Sequence, residues 1–366
     1  MIVMDFILRR SLLQMFLILT LLLTLCASCR AGDADFKAQL STTVDVRALT
    51  SSRYDGSEAR PLLVFLHGYC LSDDAQQTLK LESMRNVPAV RNRLGIARRR
   101  QQTLVQSGLR EAALDRNWIY LAPRAPRTTR ECVLCNLQES TPNSQDRLFG
   151  SWITGILARD SPEFECRAWD GSDAVALPEI SATDDLDVKY ILEVVAAAKK
   201  EFNVDEKRIY VVGIATGGFM ASRLACEKPE LFRGVVSLAG GTFSDASRCR
   251  PKSGETNVLL VHGTDDHTVP IDGGVNARGI PFPSADDSFS TLGKAMDCSN
   301  VVAKSMDTLP ADGNSVEVRV AKAKYDRCEN NVDVEQWKLN GVDHFIERET
   351  SEALFYDVVT WLNDLD

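Results

Sequence analysis

The run Arg208-Ile-Tyr-Val-Val-Gly-Ile-Ala-Thr-Gly-Gly-Phe-Met-Ala221 restricts the fold more than any other part of the chain. Its first half is an unbroken apolar stretch, the pattern of a strand covered on both faces. Gly213 and Gly217 then bracket a tight turn, and Phe219 to Cys226 continues with helical spacing. A buried strand that passes through a glycine turn straight into a helix is the building unit of a parallel sheet. At the centre of that turn stands Ala215, which offers the surroundings only a methyl group.

The same alternation recurs along the chain. Leu62–His67 is a continuous apolar run ending in His67-Gly68, and Trp118–Ala122 is a second one, stopped by Pro123. Gly234–Leu238, Val258–His262 and Glu335–Leu339 also read as strands. Residues 185–200 repeat apolar side chains at helical spacing, with acids at the start and lysines at the end, as the helix dipole favours. Ser288–Met296 and Ser351–Leu365 read as helices, and residues 30–59 as one or two edge strands. Strands alternating with helices predict an α/β fold, a mostly parallel sheet with helices on both faces. One domain over 30–366 accommodates these elements, with irregular insertions near 72–117 and 124–183.

The first 29 residues read differently. Arg9 and Arg10 precede an apolar stretch from Met15 to Ala27, followed by small residues, the pattern of a signal peptide. The stretch is shorter than the roughly 20 apolar residues that span a bilayer, so cleavage is favoured over a retained anchor. Eight cysteines follow it: Cys70, Cys132, Cys135, Cys166, Cys226, Cys249, Cys298 and Cys328. An even number suits an oxidising, extracellular compartment. Cys132 and Cys135 have the spacing of half a zinc site, but no second Cys or His pair completes it, so no metal or other cofactor is expected. A net charge of −9 argues against nucleic acid as a partner. The basic stretch from Arg91 to Arg110 is the local exception. It reads as a solvated helix face, or as a patch for an acidic polysaccharide or headgroup.

The glycine frame around position 215 is that of a G-x-S-x-G nucleophile elbow, in which a strained turn exposes a serine hydroxyl. Ser-dependent acyl transfer also needs an imidazole base, an acid that orients it, and N–H donors for the oxyanion. The loop after the strand at 258–262 carries Asp265 and Asp266, either of which could be the acid. Of the four histidines, His67, His262, His267 and His344, only His344 falls late in the chain and just after a strand. The order elbow, acid, base is that of an α/β-hydrolase.

These stretches together resemble the secreted polyhydroxybutyrate depolymerase and feruloyl or acetyl-xylan esterase family of the α/β-hydrolase fold. The resemblance is carried by Val64-Phe-Leu-His-Gly68, Asp184-Asp-Leu-Asp-Val188, Gly213 to Ala221, Arg223-Leu-Ala-Cys226, Leu238-Ala-Gly-Gly241, the segment from His262 to Gly274, and the His344 loop. It implies that Ala215 occupies the nucleophile position, Asp266 the acid and His344 the base. It implies backbone N–H donors from Tyr69 and Thr216 as the oxyanion hole, and Trp152 near the pocket. It also implies disulfides Cys226–Cys249 and Cys298–Cys328, leaving Cys70, Cys132, Cys135 and Cys166 unassigned. The chain departs from the family at the elbow, where serine is replaced, and at Gly341-Val-Asp-His-Phe345, where the family has more glycines. Three readings follow: a pseudo-hydrolase that binds an ester, acylated polysaccharide, polyester or protein; an active esterase using another group; or an ordinary esterase whose alanine is an artefact or an engineered change.

Overall fold

The computed structural model describes residues 33–38, 44–68, 108–125, 169, 171, 173, 185–250, 255–276, 279–309, 317–344, 346 and 348–365. The proposed signal segment, the basic stretch 91–107, Tyr69, Trp152 and the four unassigned cysteines lie outside them. No helix among the described residues is long and apolar enough to cross a membrane.

A 10-stranded sheet organises the chain. The strands are β1 (Asp33–Ala38), β2 (Val44–Leu49), β3 (Arg60–Leu66), β4 (Ile119–Ala122), β5 (Val204–Ile214), β6 (Gly234–Leu238), β7 (Asn257–Gly263), β10 (Val302–Leu309), β11 (Val318–Tyr325) and β12 (Val334–Leu339), and a separate small hairpin pairs β8 (Gly274–Val275) with β9 (Pro281–Phe282). Their order is β1-β2-β4-β3-β5-β6-β7-β12-β11-β10. The central block from β4 to β12 is parallel, while β1, β2, β11 and β10 are joined by antiparallel pairings at the two sides. This is the α/β-hydrolase fold.

The sequence dictates this arrangement through alternation within buried strands. In β3, Leu62, Val64 and Leu66 face one core, whereas Leu63 and Phe65 face the other. In β5, Ile209 and Val211 face the first core, and Tyr210, Val212 and Ile214 the second. Successive side chains on a strand point to opposite faces, so a strand buried on both sides must be apolar at every position. The first core is closed by helix α1 (Leu186–Glu201), through Val188, Ile191 and Val195, and by helix α2 (Thr216–Glu227), through Met220 and Leu224. Phe289 and Leu292 of helix α3 (Ala285–Ala295) join it. The second core is closed by helix α4 (Arg348–Asn363), with Leu354, Phe355, Val358 and Leu362, and by Leu109 and Ala113 of the helical stretch 108–115. Each fully buried side chain of this kind contributes about 1.5–3 kcal/mol.

Ser284 caps α3, its side chain accepting from the backbone N–H of Asp287 at 2.9 Å. The side chain of Arg223 in α2 is almost fully buried and pairs with Asp185, just before α1, at 3.2 Å and with Glu227 at 2.9 Å. Both family-implied disulfides are present. Cys226–Cys249 ties the end of α2 to the segment after β6, and Cys298–Cys328 ties the residues after α3 to the stretch between β11 and β12. They fit an oxidising environment.

The sequence reading places the strands of the parallel block and the helices correctly but omits β10, β11 and the β8–β9 hairpin. β10 alternates poorly (Val-Ala-Lys-Ser-Met-Asp-Thr-Leu) because most of it is exposed, so its pattern lacks the apolar run that marks the central strands.

Candidate active site

β5, β6, β7 and β12 lie side by side in that order and run parallel, so the loops at their C-terminal ends meet at one edge of the sheet. That edge is where ligand sites form in such sheets. It collects the turn at Ala215, the loop carrying Asp266 and the loop carrying His344.

The turn after β5 is sharp. Ala215 has φ 52° and ψ −117°, a conformation L-residues rarely adopt. Two hydrogen bonds hold it there: its N–H donates to Leu238 O at 2.9 Å, and its carbonyl accepts from Phe219 N at 3.0 Å. A side chain on Gly213 would put its Cβ 2.0 Å from Gly217 O, and one on Gly217 would put its Cβ 2.1 Å from Leu66 O. Both positions are therefore glycine because backbone lies where a side chain would be. Ala215 is the residue preceding α2, and its methyl makes no cap to the helix N–H groups. Thr216 begins α2, and its Oγ1 is buried without a hydrogen-bond partner among the described residues.

Asp266 is 5% exposed, whereas Asp265 is exposed and accepts from the Thr264 hydroxyl at 3.0 Å. Oδ1 of Asp266 accepts from the backbone N–H groups of Thr268 and Val269 at 2.9 and 2.7 Å. Oδ2 lies 2.8 Å from Nδ1 of His344 and 3.3 Å from Nε2 of His262. Burial pushes this carboxyl up, but the two imidazoles and the backbone amide outweigh it and hold the group well below the usual carboxylate range. An ionised carboxylate only accepts, so Nδ1 of His344 carries a proton, and in the neutral form of the ring the lone pair lies on Nε2. That is the tautomer a general base requires.

His344 is 5% exposed. It lines a narrow cleft with Ile214, Leu238, Ala239, His262 and Asp343, which brings its ring into the same space as the end of β5. Asp343 fastens the two loops together. Its Oδ1 accepts from the backbone N–H of His344 at 2.7 Å and from that of His267 at 3.1 Å. His267 itself is largely exposed.

On the other side of the elbow, His67 follows β3. Its Nδ1–H donates to Gly68 O at 2.8 Å, and its Nε2 accepts from the N–H of Ala125 at 3.0 Å. This buried ring ties the loop after β3 to the segment after β4. Its neighbour is Trp169, fully buried, with ring centroids 5.4 Å apart. Trp169, Asp343 and the contact of His262 with Asp266 escape the sequence reading. Only the last had a signal, a histidine four residues before the candidate acid. A wider hollow of about 720 Å³, lined by Asp205, Arg208, Glu230, Arg233 and Glu255, lies at the opposite, N-terminal ends of the strands and is remote from these groups. No cluster able to hold a metal ion occurs among the described residues.

Residues 182–245, from the approach to α1 through the elbow to the segment after β6, match the prolyl oligopeptidase family. The chain has the α/β-hydrolase fold and is similar to esterases over part of its length. It is similar to feruloyl esterase B of Piromyces equi, 26% identical over 172 residues, 44% of this chain and 29% of the relative. It is also similar to feruloyl esterase C of Emericella nidulans, 32% identical over 93 residues, 25% of this chain and 33% of the relative. The matched stretches thus span about a third or less of these relatives' lengths. Among solved structures, acetyl xylan esterase from Aspergillus awamori aligns over 91% of this chain and 99% of its own, at 10% identity and a TM-score of 0.48.

Proposed function

We propose that this esterase-like α/β-hydrolase is a secreted pseudo-hydrolase: Ala215 stands at the nucleophile position, and the site binds an ester-bearing ligand without turning it over. The observation that carries this reading is an intact Asp266–His344 pair at 2.8 Å beside a strained elbow whose central residue is alanine. A methyl group cannot attack an acyl carbon. Replacing a hydroxyl by hydrogen changes the shape of a pocket very little. Removing a triad serine typically costs about a millionfold in kcat. The relatives named as feruloyl esterases favour an acylated polysaccharide or a related aryl or alkyl ester as ligand, and the family resemblance adds a polyester. Secretion rests on the apolar segment Met15–Ala27 and on the two disulfides.

The test is direct. The native protein should take no label from a fluorophosphonate and hydrolyse no short-chain p-nitrophenyl ester above the rate of a heat-denatured control. Labelling or turnover at enzyme-like rates refutes the reading. One observation favours a second reading, an esterase with a different nucleophile: the buried, unpartnered Thr216 hydroxyl is the nearest one to the bend. If that group acts, Thr216→Val abolishes the labelling. Re-reading codon 215 from genomic DNA separates both readings from an artefact, and Ala215→Ser restores labelling at once if the rest of an ordinary esterase is in place.

A further inference from the structure

We infer that His262 is a positioning residue of this site: its imidazole shares the Asp266 carboxylate with His344, and so sets how strongly that carboxylate grips the His344 ring. His262 lies in β7 and is 4% exposed. Its Nε2 is 2.8 Å from the carbonyl oxygen of Val269. A carbonyl only accepts, so Nε2 carries a proton. The same N–H is 3.3 Å from Oδ2 of Asp266, the oxygen that takes the Nδ1–H of His344 at 2.8 Å. The other carboxylate oxygen is occupied by the N–H groups of Thr268 and Val269. Four N–H groups therefore converge on one carboxylate, two of them from imidazoles, His262 in β7 and His344 in the loop after β12.

This arrangement has two consequences. The His262 ring bridges Val269 and Asp266, so the acid loop is closed on itself and Oδ2 is kept aimed at the loop after β12. An oxygen serving two donors is also less basic toward each than an oxygen serving one. His262 thus weakens the Asp266–His344 hydrogen bond while fixing its direction. Among the described residues, Ile214, Leu238 and Leu339 line the cleft from β5, β6 and β12, and Asp343 is a further charged group there, engaged by the amides of His267 and His344. Asp265 and His267 face outward.

The functional consequence rests on reading His344 as the ligand-facing base. The sharing of the carboxylate does not depend on whether position 215 bears a nucleophile, and its test is independent of labelling or turnover. Imidazole NMR of the 15N-labelled native protein should show His262 protonated on Nε2 and His344 protonated on Nδ1. In His262→Phe, which fills the space and removes the donor, the Nδ1–H proton of His344 should move further downfield as its bond to the unshared oxygen strengthens. In His262→Gln, whose amide again supplies a donor, it should return toward the native position. A merely structural role predicts the reverse: a loosened loop, with the His344 proton moving upfield or lost to exchange with water. The inference is overturned if native His262 carries its proton on Nδ1, or if the His344 proton moves upfield or stays put in His262→Phe. Should that variant fail to fold, the native tautomer and the His262→Gln position decide.

Discussion

Oδ2 of Asp266 and Nδ1 of His344 lie 2.8 Å apart across 78 residues of sequence, and both groups are buried. Such a contact persists only if the strands that carry it, β7 and β12, are neighbours in register, as the pairing Leu339↔Gly263 makes them. The Asp266–His344 pair is thus a product of sheet order, not of local chain geometry.

The first prediction concerns acid. The Asp266 carboxyl is held below its ordinary value of 3.8 in the folded protein. The unfolded chain therefore binds this proton more readily than the folded one. The stability it contributes is complete above the unfolded value and is lost as pH falls through the depressed folded value. Asp266→Asn should flatten the dependence of stability on pH below about pH 4, the ordinary carboxylate range. Urea unfolding of both proteins between neutral and acidic pH measures this. Parallel pH profiles would show that the carboxylate contributes nothing.

The second concerns Asp343. Its Oδ1 joins the acid and base loops through the amides of His267 and His344. Asp343→Ala removes two hydrogen bonds to a charged acceptor. Buried bonds of this kind contribute about 1.5–3 kcal/mol each, and because the Asp343 side chain is about half exposed the expected net loss is only about 1–2 kcal/mol. Amide exchange at His267 and His344 should accelerate together, while exchange in the central strands changes no more than global stability dictates. Asp343→Asn keeps an acceptor and should fall between. Acceleration at only one of the two amides would show that the loops are held separately.

What the sequence made legible follows from which signals are local. The Gly213–Gly217 frame encodes a steric requirement, since Cβ atoms there meet backbone at 2.0 and 2.1 Å, so the elbow could be read directly. The central strands were equally plain, because burial on both faces forces unbroken apolar runs such as Leu62–Leu66. The choice between Asp265 and Asp266 was not local. It depends on burial and on four donors arriving from β7, from the loop after it and from the loop after β12, which adjacent positions in a loop do not announce. Trp169 sits in a stretch of sequence with no hydrophobic periodicity, so nothing in its neighbourhood marked it as the ring beside His67. β10 was missed for the opposite reason to the central strands, its exposed residues diluting the pattern, and in β11 Arg319, Lys322 and Lys324 interrupt the apolar run.

The third prediction tests the close approach at the elbow. Gly217→Ala would drive a Cβ into Leu66 O at 2.1 Å and His67 O at 2.6 Å, both backbone atoms that no rotamer change can move. Helix α2 must then shift away from β3. The cost should reach about 4 kcal/mol or more, the range reserved for steric conflict in a packed core. A loss below about 1 kcal/mol would be an ordinary surface-like effect and would contradict the geometry.

The last prediction reads the strain at position 215 itself. Ala215 sits at φ 52° and ψ −117°, where a residue with a Cβ costs about 1–3 kcal/mol and glycine costs nothing. Glycine pays a penalty of its own, since it frees the unfolded chain by about 0.4–1 kcal/mol. The difference favours glycine, so Ala215→Gly should be stabilising by about 1 kcal/mol, against the usual destabilising trend of point mutations. For a chain of 366 residues that raises Tm by about 1–2 °C. Ala215→Ser keeps the Cβ and the strain, so its Tm should stay with the native protein even if it acquires reactivity toward a fluorophosphonate. Chemistry and strain are thereby separated at one residue: serine changes the first alone and glycine the second alone. A glycine variant less stable than the native protein would mean that packing of the Ala215 methyl against its neighbours outweighs the backbone conformation at the bend.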